Sequence, residues 1–213
     1  MQLSGDVLYV KIIFRKTINS IFTMKKDFNM VIVGTGGQGL ITLLQILAEA
    51  AVSEGYDVKT SELHGLSQRG GSVEVHLRFG KKIHSPLISQ RKADLILGLE
   101  MQEAVRAYSF ANPKTNFLIN KQIVVIPLVD NLTEEEILKQ LKKISRNVFL
   151  VPAAEICQKE LGKSVVAGIY LISLASFKKL MPLKPNSILK ALKKIIPEKY
   201  LELNLKALEL ARG

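Results

Sequence analysis

The sequence predicts a three-layer α/β fold built on a mixed, mostly parallel sheet, and three observations carry that expectation. Short apolar, β-branched runs such as Phe28 to Thr35 (FNMVIVGT) and Ala93 to Leu99 (ADLILGL) end at or just after a glycine. Runs of this kind suit strands covered on both faces. Stretches with apolar residues at helical spacing lie between them, so strands alternate with helices over most of the chain. Ser72 to Phe79 departs from this pattern: Val73, Val75, Leu77 and Phe79 point one way, Glu74, His76 and Arg78 the other. Such alternation marks a strand with one wet or interfacial face.

The elements follow in order. Leu40 to Ser53 carries apolar residues at helical spacing and stops before Gly55, so it is a helix. Asp57 to Ser61 is the next strand, and His64 to Gly71 (HGLSQRGG) is too polar and glycine-rich to be anything but an ordered loop. Gly80-Lys81-Lys82 turns the chain, and Ile83 to Ile88 is expected to pair back on Ser72 to Phe79 as a hairpin, which makes the sheet mixed. A helix over Met101 to Tyr108 follows the ADLILGL strand. Phe117 to Pro127 reads as two strands, or as one strand with a turn at Asn120-Lys121. Thr133, with Glu136 three residues later, is a capping box that opens a helix to about Lys143. Asn147 to Pro152 is the last strand, and from Ala153 the chain is largely helical. Curling of the sheet toward a barrel is the variant of this architecture.

Residues 24–180 are expected to form one domain, with a basic helical C-terminal extension over 181–213. Residues 1–23 are an N-terminal extension, read as an upstream-start segment or a peripheral strand pair outside the chemistry. Lys11, Arg15 and Lys16 interrupt its apolar stretch, which argues against a secretory signal and for a cytoplasmic location. The uncharged run Ser164 to Phe177, about 14 residues, falls short of the roughly 20 that span a bilayer. It is a buried helix, and no membrane association is expected.

Composition narrows the chemistry. The 213 residues carry a formal charge of +11 and 47% apolar residues, enough to build a core. Cys157 is the one cysteine. It cannot form an internal disulfide, and an iron–sulfur cluster needs about four thiolates, so any redox metal centre sits on another chain. Aromatic residues make up 6%, and no helix-turn-helix or RNA-binding signature accompanies the charge, so nucleic acid is not an expected partner.

Gly34-Thr35-Gly36-Gly37-Gln38-Gly39 fits G-x-G-x-x-G between a strand and a helix. Glycines let backbone approach a ligand, and a helix N-terminus offers N–H groups to an anion. Two readings stand: a phosphate cradle, or a tight Rossmann-like βα turn whose glycines serve packing. A dinucleotide site also needs an acid at the end of the second strand, and Glu62 lies at that spacing.

The GTGGQG turn followed by Ser61-Glu62-Leu63-His64-Gly65-Leu66-Ser67-Gln68-Arg69-Gly70-Gly71-Ser72-Val73 resembles the gamma-type subunit or domain of the 2-oxoacid:ferredoxin oxidoreductases. The likeness is greatest to the small subunit of the indolepyruvate enzymes. Ser85-Pro86-Leu87-Ile88 and Ala93 to Glu100 (ADLILGLE) extend it over roughly residues 29–180. The resemblance implies a hetero-oligomer that oxidatively decarboxylates an aryl 2-oxoacid with coenzyme A, giving an acyl-CoA, carbon dioxide and reduced ferredoxin. It implies that thiamine diphosphate, Mg and [4Fe-4S] clusters reside on a large partner subunit, and that this chain is inactive alone. Carried over, Gly34, Gly36, Gly37, Gln38 and Gly39 are candidates for a phosphate, coenzyme A or subunit contact. His64, Gln68 and Arg69 are candidates for facing the partner's active site. The stand-alone alternative is a Rossmann-like nucleotide binder using the same turn.

Other polar residues have plainer readings. His76 and Arg78 are expected on the solvent or subunit side of their strand, His84 is structural, and Cys157 is a buried small apolar side chain. Nine Lys/Arg against three Glu between Lys178 and Arg212 form either a solvated helix face or an electropositive docking surface.

Overall fold

The computed structural model describes residues 27–64, 70–125 and 130–212. Six strands, β1 Asp27–Thr35, β2 Asp57–His64, β3 Ser72–Gly80, β4 Leu95–Gly98, β5 Asn116–Asn120 and β6 Val148–Val151, form one sheet in the order β2-β3-β1-β4-β5-β6. Seven α-helices accompany them among the described residues: α1 Leu40–Ser53, α2 Met101–Arg106, α3 Glu134–Ile144, α4 Ala153–Leu161, α5 Ala167–Phe177, α6 Pro185–Ile195 and α7 Glu198–Leu210. Among the described residues the sheet is open, and they do not form the barrel variant. β3 runs antiparallel to both β1 and β2, while β1, β4, β5 and β6 are parallel.

The period-2 geometry of β1 divides its side chains between two layers. Phe28, Met30 and Ile32 join Val75, Leu77 and Phe79 of β3 under α1 and the four C-terminal helices. Val31 and Val33 face the opposite way, with Ile96, Phe117 and Ile119, against α2 and α3. α5 is buried over most of its length, as an uncharged run requires. Ile188 and Leu192 of α6 and Ala207 and Leu208 of α7 belong to the same core as β1, and Lys194 Nζ meets Glu49 Oε1 of α1 at 2.8 Å. Among the described residues no helix is long and apolar enough to cross a membrane.

Several expectations need correction. Ile83 to Ile88 is not a strand, because both hydrogen-bonding edges of β3 are taken by β1 and β2. The segment instead crosses the face of the sheet. Arg78 Nη1 donates to Ser85 O at 2.8 Å and the Ile88 N–H to His76 Nδ1 at 3.1 Å, and Ile83 and Ile88 are buried. His76 is therefore only 2% exposed rather than solvent-side. Its Nδ1 accepts from backbone, which leaves the proton on Nε2 for Glu74 Oε1 at 2.9 Å. Of the two readings of Phe117 to Pro127, the described residues follow the single strand with a turn at Asn120-Lys121, β5. It stops at Asn120, whose side chain donates to Leu99 O and to Gln122 Oε1. β2 runs three residues beyond Ser61, and α2 tightens after Arg106 into a 3₁₀ turn over Ala107–Phe110.

Candidate functional site

β1 delivers the glycine turn to the carboxyl end of the sheet. Gly37 (φ 100°) and Gly39 (φ 78°) occupy the left-handed region that side chains avoid, and Gly39 is the N-cap of α1. Gln38 closes the turn on itself: its Oε1 accepts the Thr35 N–H at 2.8 Å and its own N–H donates to Thr35 O. Gly34 admits this side chain, since a Cβ there would collide with Gln38 Oε1. No side chain caps α1 and no acid lies in its first turn. Its positive dipole end is left to the crevice.

The two sequence motifs meet through backbone. The Gly36 N–H donates to Gly71 O at 2.8 Å, and Gly70 N–H to Gly36 O at 3.4 Å. β2 and β3 pair antiparallel, and Gly70-Gly71, just before β3, lie beside the glycine turn. Ser72, the first residue of β3, then donates through Oγ to Glu103 Oε2 at 2.5 Å, while Glu103 Oε1 accepts from Arg106 at 2.7 Å. His64 ends β2 opposite Val73 in register. Gln68 and Arg69 lie outside the described residues, as do Gly65 to Ser67 of the expected ordered loop.

A pair of buried acids organises the far side of the turn. Glu100 follows β4 and is the N-cap of α2. Its two carboxylate oxygens accept the Glu103 N–H at 2.7 Å and the Val124 N–H at 3.0 Å, tying α2 to the segment after β5. Burial pushes its carboxyl above the ordinary range, against the lowering effect of those N–H groups. Gly98 lets α2 approach the sheet, since a Cβ there would stand 2.8 Å from Ala104 Cβ.

β1 sends the chain to α1 on one face and its parallel neighbour β4 sends it to α2 on the other, which opens a crevice between their ends. A cleft of about 170 Å³ lies there, lined by Gly37, Gln38, Leu99, Asn120, Gln122 and Gly168 among others. Asn120 is 2% exposed and accepts the Ala154 N–H at the start of α4. The glycine turn is thus in contact with the cleft. Glu62 is not: it is exposed on β2, and β3 separates that strand from β1. The geometry of a ribose-binding acid beside the first strand is therefore absent, which disfavours the dinucleotide alternative.

Sequence reasoning passed over Ser72, Glu103 and Asn120. Their signal was faint: a glutamate on the buried side of a short helix, and an asparagine ending an apolar strand. One cysteine cannot hold an iron–sulfur cluster, and the described residues do not fit a metal-held diphosphate. Cys157, the single cysteine of the sequence, is fully buried and its thiol is pushed up to about 11 by that burial. Among the described residues no three His, Cys, Asp or Glu converge as metal ligands.

The family model for pyruvate ferredoxin/flavodoxin oxidoreductase matches residues 29–213, a span that takes in the C-terminal helices as well as both motifs. Indolepyruvate oxidoreductase subunit IorB of Archaeoglobus fulgidus is 36% identical over 187 residues, 85% of this chain and 92% of that protein. Its counterpart in Thermococcus kodakarensis is 34% identical over 192 residues, 87% of this chain and 94% of that one. The crystal structure of a keto/oxoacid ferredoxin oxidoreductase gamma subunit from Geobacter sulfurreducens superposes with a TM-score of 0.63 at 22% identity, over 87% of this chain and 96% of that one. By its fold, its paired motifs and these matches, the chain belongs to the pyruvate ferredoxin/flavodoxin oxidoreductase family.

Proposed function

We propose that this chain is the small, gamma-type subunit of a cytoplasmic 2-oxoacid:ferredoxin oxidoreductase that converts indolepyruvate and coenzyme A to an acyl-CoA, carbon dioxide and reduced ferredoxin. The observation that carries the reading is the match at 34–36% identity to two IorB subunits over nearly the whole of both chains. Thiamine diphosphate, Mg and [4Fe-4S] clusters belong on a large partner subunit in this reading, since the chain has one cysteine and no metal-ligand cluster forms among its described residues. That partner performs the decarboxylation and collects the electrons. This chain binds and positions.

The uncapped start of α1 and the backbone of Gly36 to Gly39 hold a coenzyme A phosphate or a backbone segment of the partner. Gln38 keeps the turn shut from within. In this reading His64, Gln68 and Arg69 face the partner's active site, and Gly70, Gly71 and Ser72, which follow them in the chain, are tied to the glycine turn and to Glu103. Co-expression with the large thiamine-binding subunit tests the reading. A stable complex should form, and indolepyruvate-dependent ferredoxin reduction should require both chains and exceed the rate with pyruvate. No complex, or full activity from the large subunit alone, would refute it.

A further inference from the structure

A second cavity lies away from the glycine turn. A groove of about 720 Å³ opens at the amino ends of β1, β4 and β5, beneath the loop that joins α5 to α6. β1 is nine residues long, so the groove lies about 30 Å from the glycine turn along the sheet. This volume is within the range of pockets that enclose small organic ligands, about 300–1,000 Å³.

Its floor is apolar: the half-buried Phe177 and Leu180 and the exposed Pro182 lie over the buried Phe28, Met181 and Leu183. Its rim is cationic. Lys114, Lys179 and Lys184 line the mouth, all exposed. The one carboxylate in the lining, Asp94, accepts the Asn29 N–H through Oδ2 at 3.0 Å and so is held to β1. Ser176 is likewise committed, donating to Leu183 O at 2.7 Å. The loop itself is pinned by the Lys184 N–H on Glu54 Oε1 at 2.7 Å.

Lys179 adds an independent observation. It stands at φ 56°, in the left-handed position that ends α5, with its N–H on Ser176 O and the Leu180 N–H on Ala175 O. That pairing is the helix-ending motif in which glycine is usual, because a side chain there is strained. The sequence keeps a lysine at this position, and its backbone geometry fixes the root of that ammonium at the mouth of the groove.

We propose that this groove is a binding site for an apolar organic anion, a carboxylate carrying an alkyl or aryl body, separate from the crevice at the glycine turn. The body lies on Phe177, Leu180 and Pro182, and the carboxylate meets Lys179 and Lys184, with Lys114 across the mouth. Calorimetric titration of the full chain with decanoate and with 2-naphthoate tests the assignment and distinguishes the alkyl from the aryl source. One site per chain is expected for at least one of them. Affinity should fall at least tenfold with decanol in place of decanoate, or in the Lys179→Glu/Lys184→Glu variant. Lys179→Gly should raise the thermal midpoint by a few degrees while weakening binding severalfold, which separates loss of the ammonium from loss of the fold. Absence of saturable binding by both acids, equal binding of decanol, or unchanged affinity in both lysine variants would overturn the proposal.

Discussion

Gly98→Ala is the sharpest probe of how the site is held. The added methyl would stand 2.8 Å from Ala104 Cβ, with the Glu100 carbonyl oxygen and Ile119 Cγ2 each at 3.3 Å. Carbon atoms in ordinary contact lie about 3.5–4.0 Å apart, so α2 must retreat from β4 by close to 1 Å. None of the three obstacles is the far end of a flexible chain. Overpacking of this kind costs about 1–3 kcal/mol, and the rigid surroundings put this position in the upper half of that range. For a domain of this size, a loss of 2–3 kcal/mol lowers the thermal midpoint by roughly 4–12 °C. Circular dichroism melts and urea titrations would measure it. Ala104→Gly removes the opposing methyl and by itself costs about 1 kcal/mol in helix propensity. The double variant should be nearly as stable as Ala104→Gly alone, giving a coupling of about 2 kcal/mol. Strictly additive losses, or a loss under 0.5 kcal/mol for Gly98→Ala, would refute the close-approach argument.

Three further outcomes follow from the same structure. Glu100 is raised by burial, so the folded state holds its proton more tightly than the unfolded chain. Its contribution to stability is full below the unfolded value of about 4.3 and declines as pH climbs through the folded one, so Glu100→Gln should flatten the decline seen by urea unfolding; identical slopes would contradict this. Cys157, buried and pushed up to about 11, should react with a thiol reagent only as fast as the protein unfolds, and rapid labelling of the native chain would show the burial to be wrong. Thr133→Ala removes the hydroxyl that accepts the Glu136 N–H and should cost about 1 kcal/mol in urea unfolding, with no cost expected if the capping box is dispensable.

Local signals proved reliable where they were self-contained. The α1 boundaries, the Thr133 capping box and the buried α5 could all be read from spacing and cap chemistry, since each depends on residues within one or two turns. The partner of β3 was not readable. Alternation of Val73, Val75, Leu77 and Phe79 announces a strand, yet cannot say that β1 and β2 will occupy both its edges and leave Ile83 to Ile88 to cross the face instead. The inward turn of His76 follows from the same unforeseen placement. At the site, the GTGGQG turn was visible because glycine has few other uses in such a pattern. Glu100 and Glu103 were not marked as buried acids, because their importance rests on N–H groups and a hydroxyl contributed by distant segments.

The insertion of β3 between β1 and β2 also limits what protein engineering can do with this scaffold. Neighbouring strands are about 4.8 Å apart, so the end of β2 sits close to 10 Å from the strand that carries the glycine turn. Exchanging Glu62 for aspartate, or grafting a full dinucleotide fingerprint onto residues 34–39, would leave the acid one strand too far from any ribose held at that turn. Conversion of the scaffold into a nicotinamide binder would demand deletion of the whole hairpin and a new strand laid directly against β1. Redesign for a ligand at this end is better aimed at Gly70 to Ser72, where two chain segments already converge.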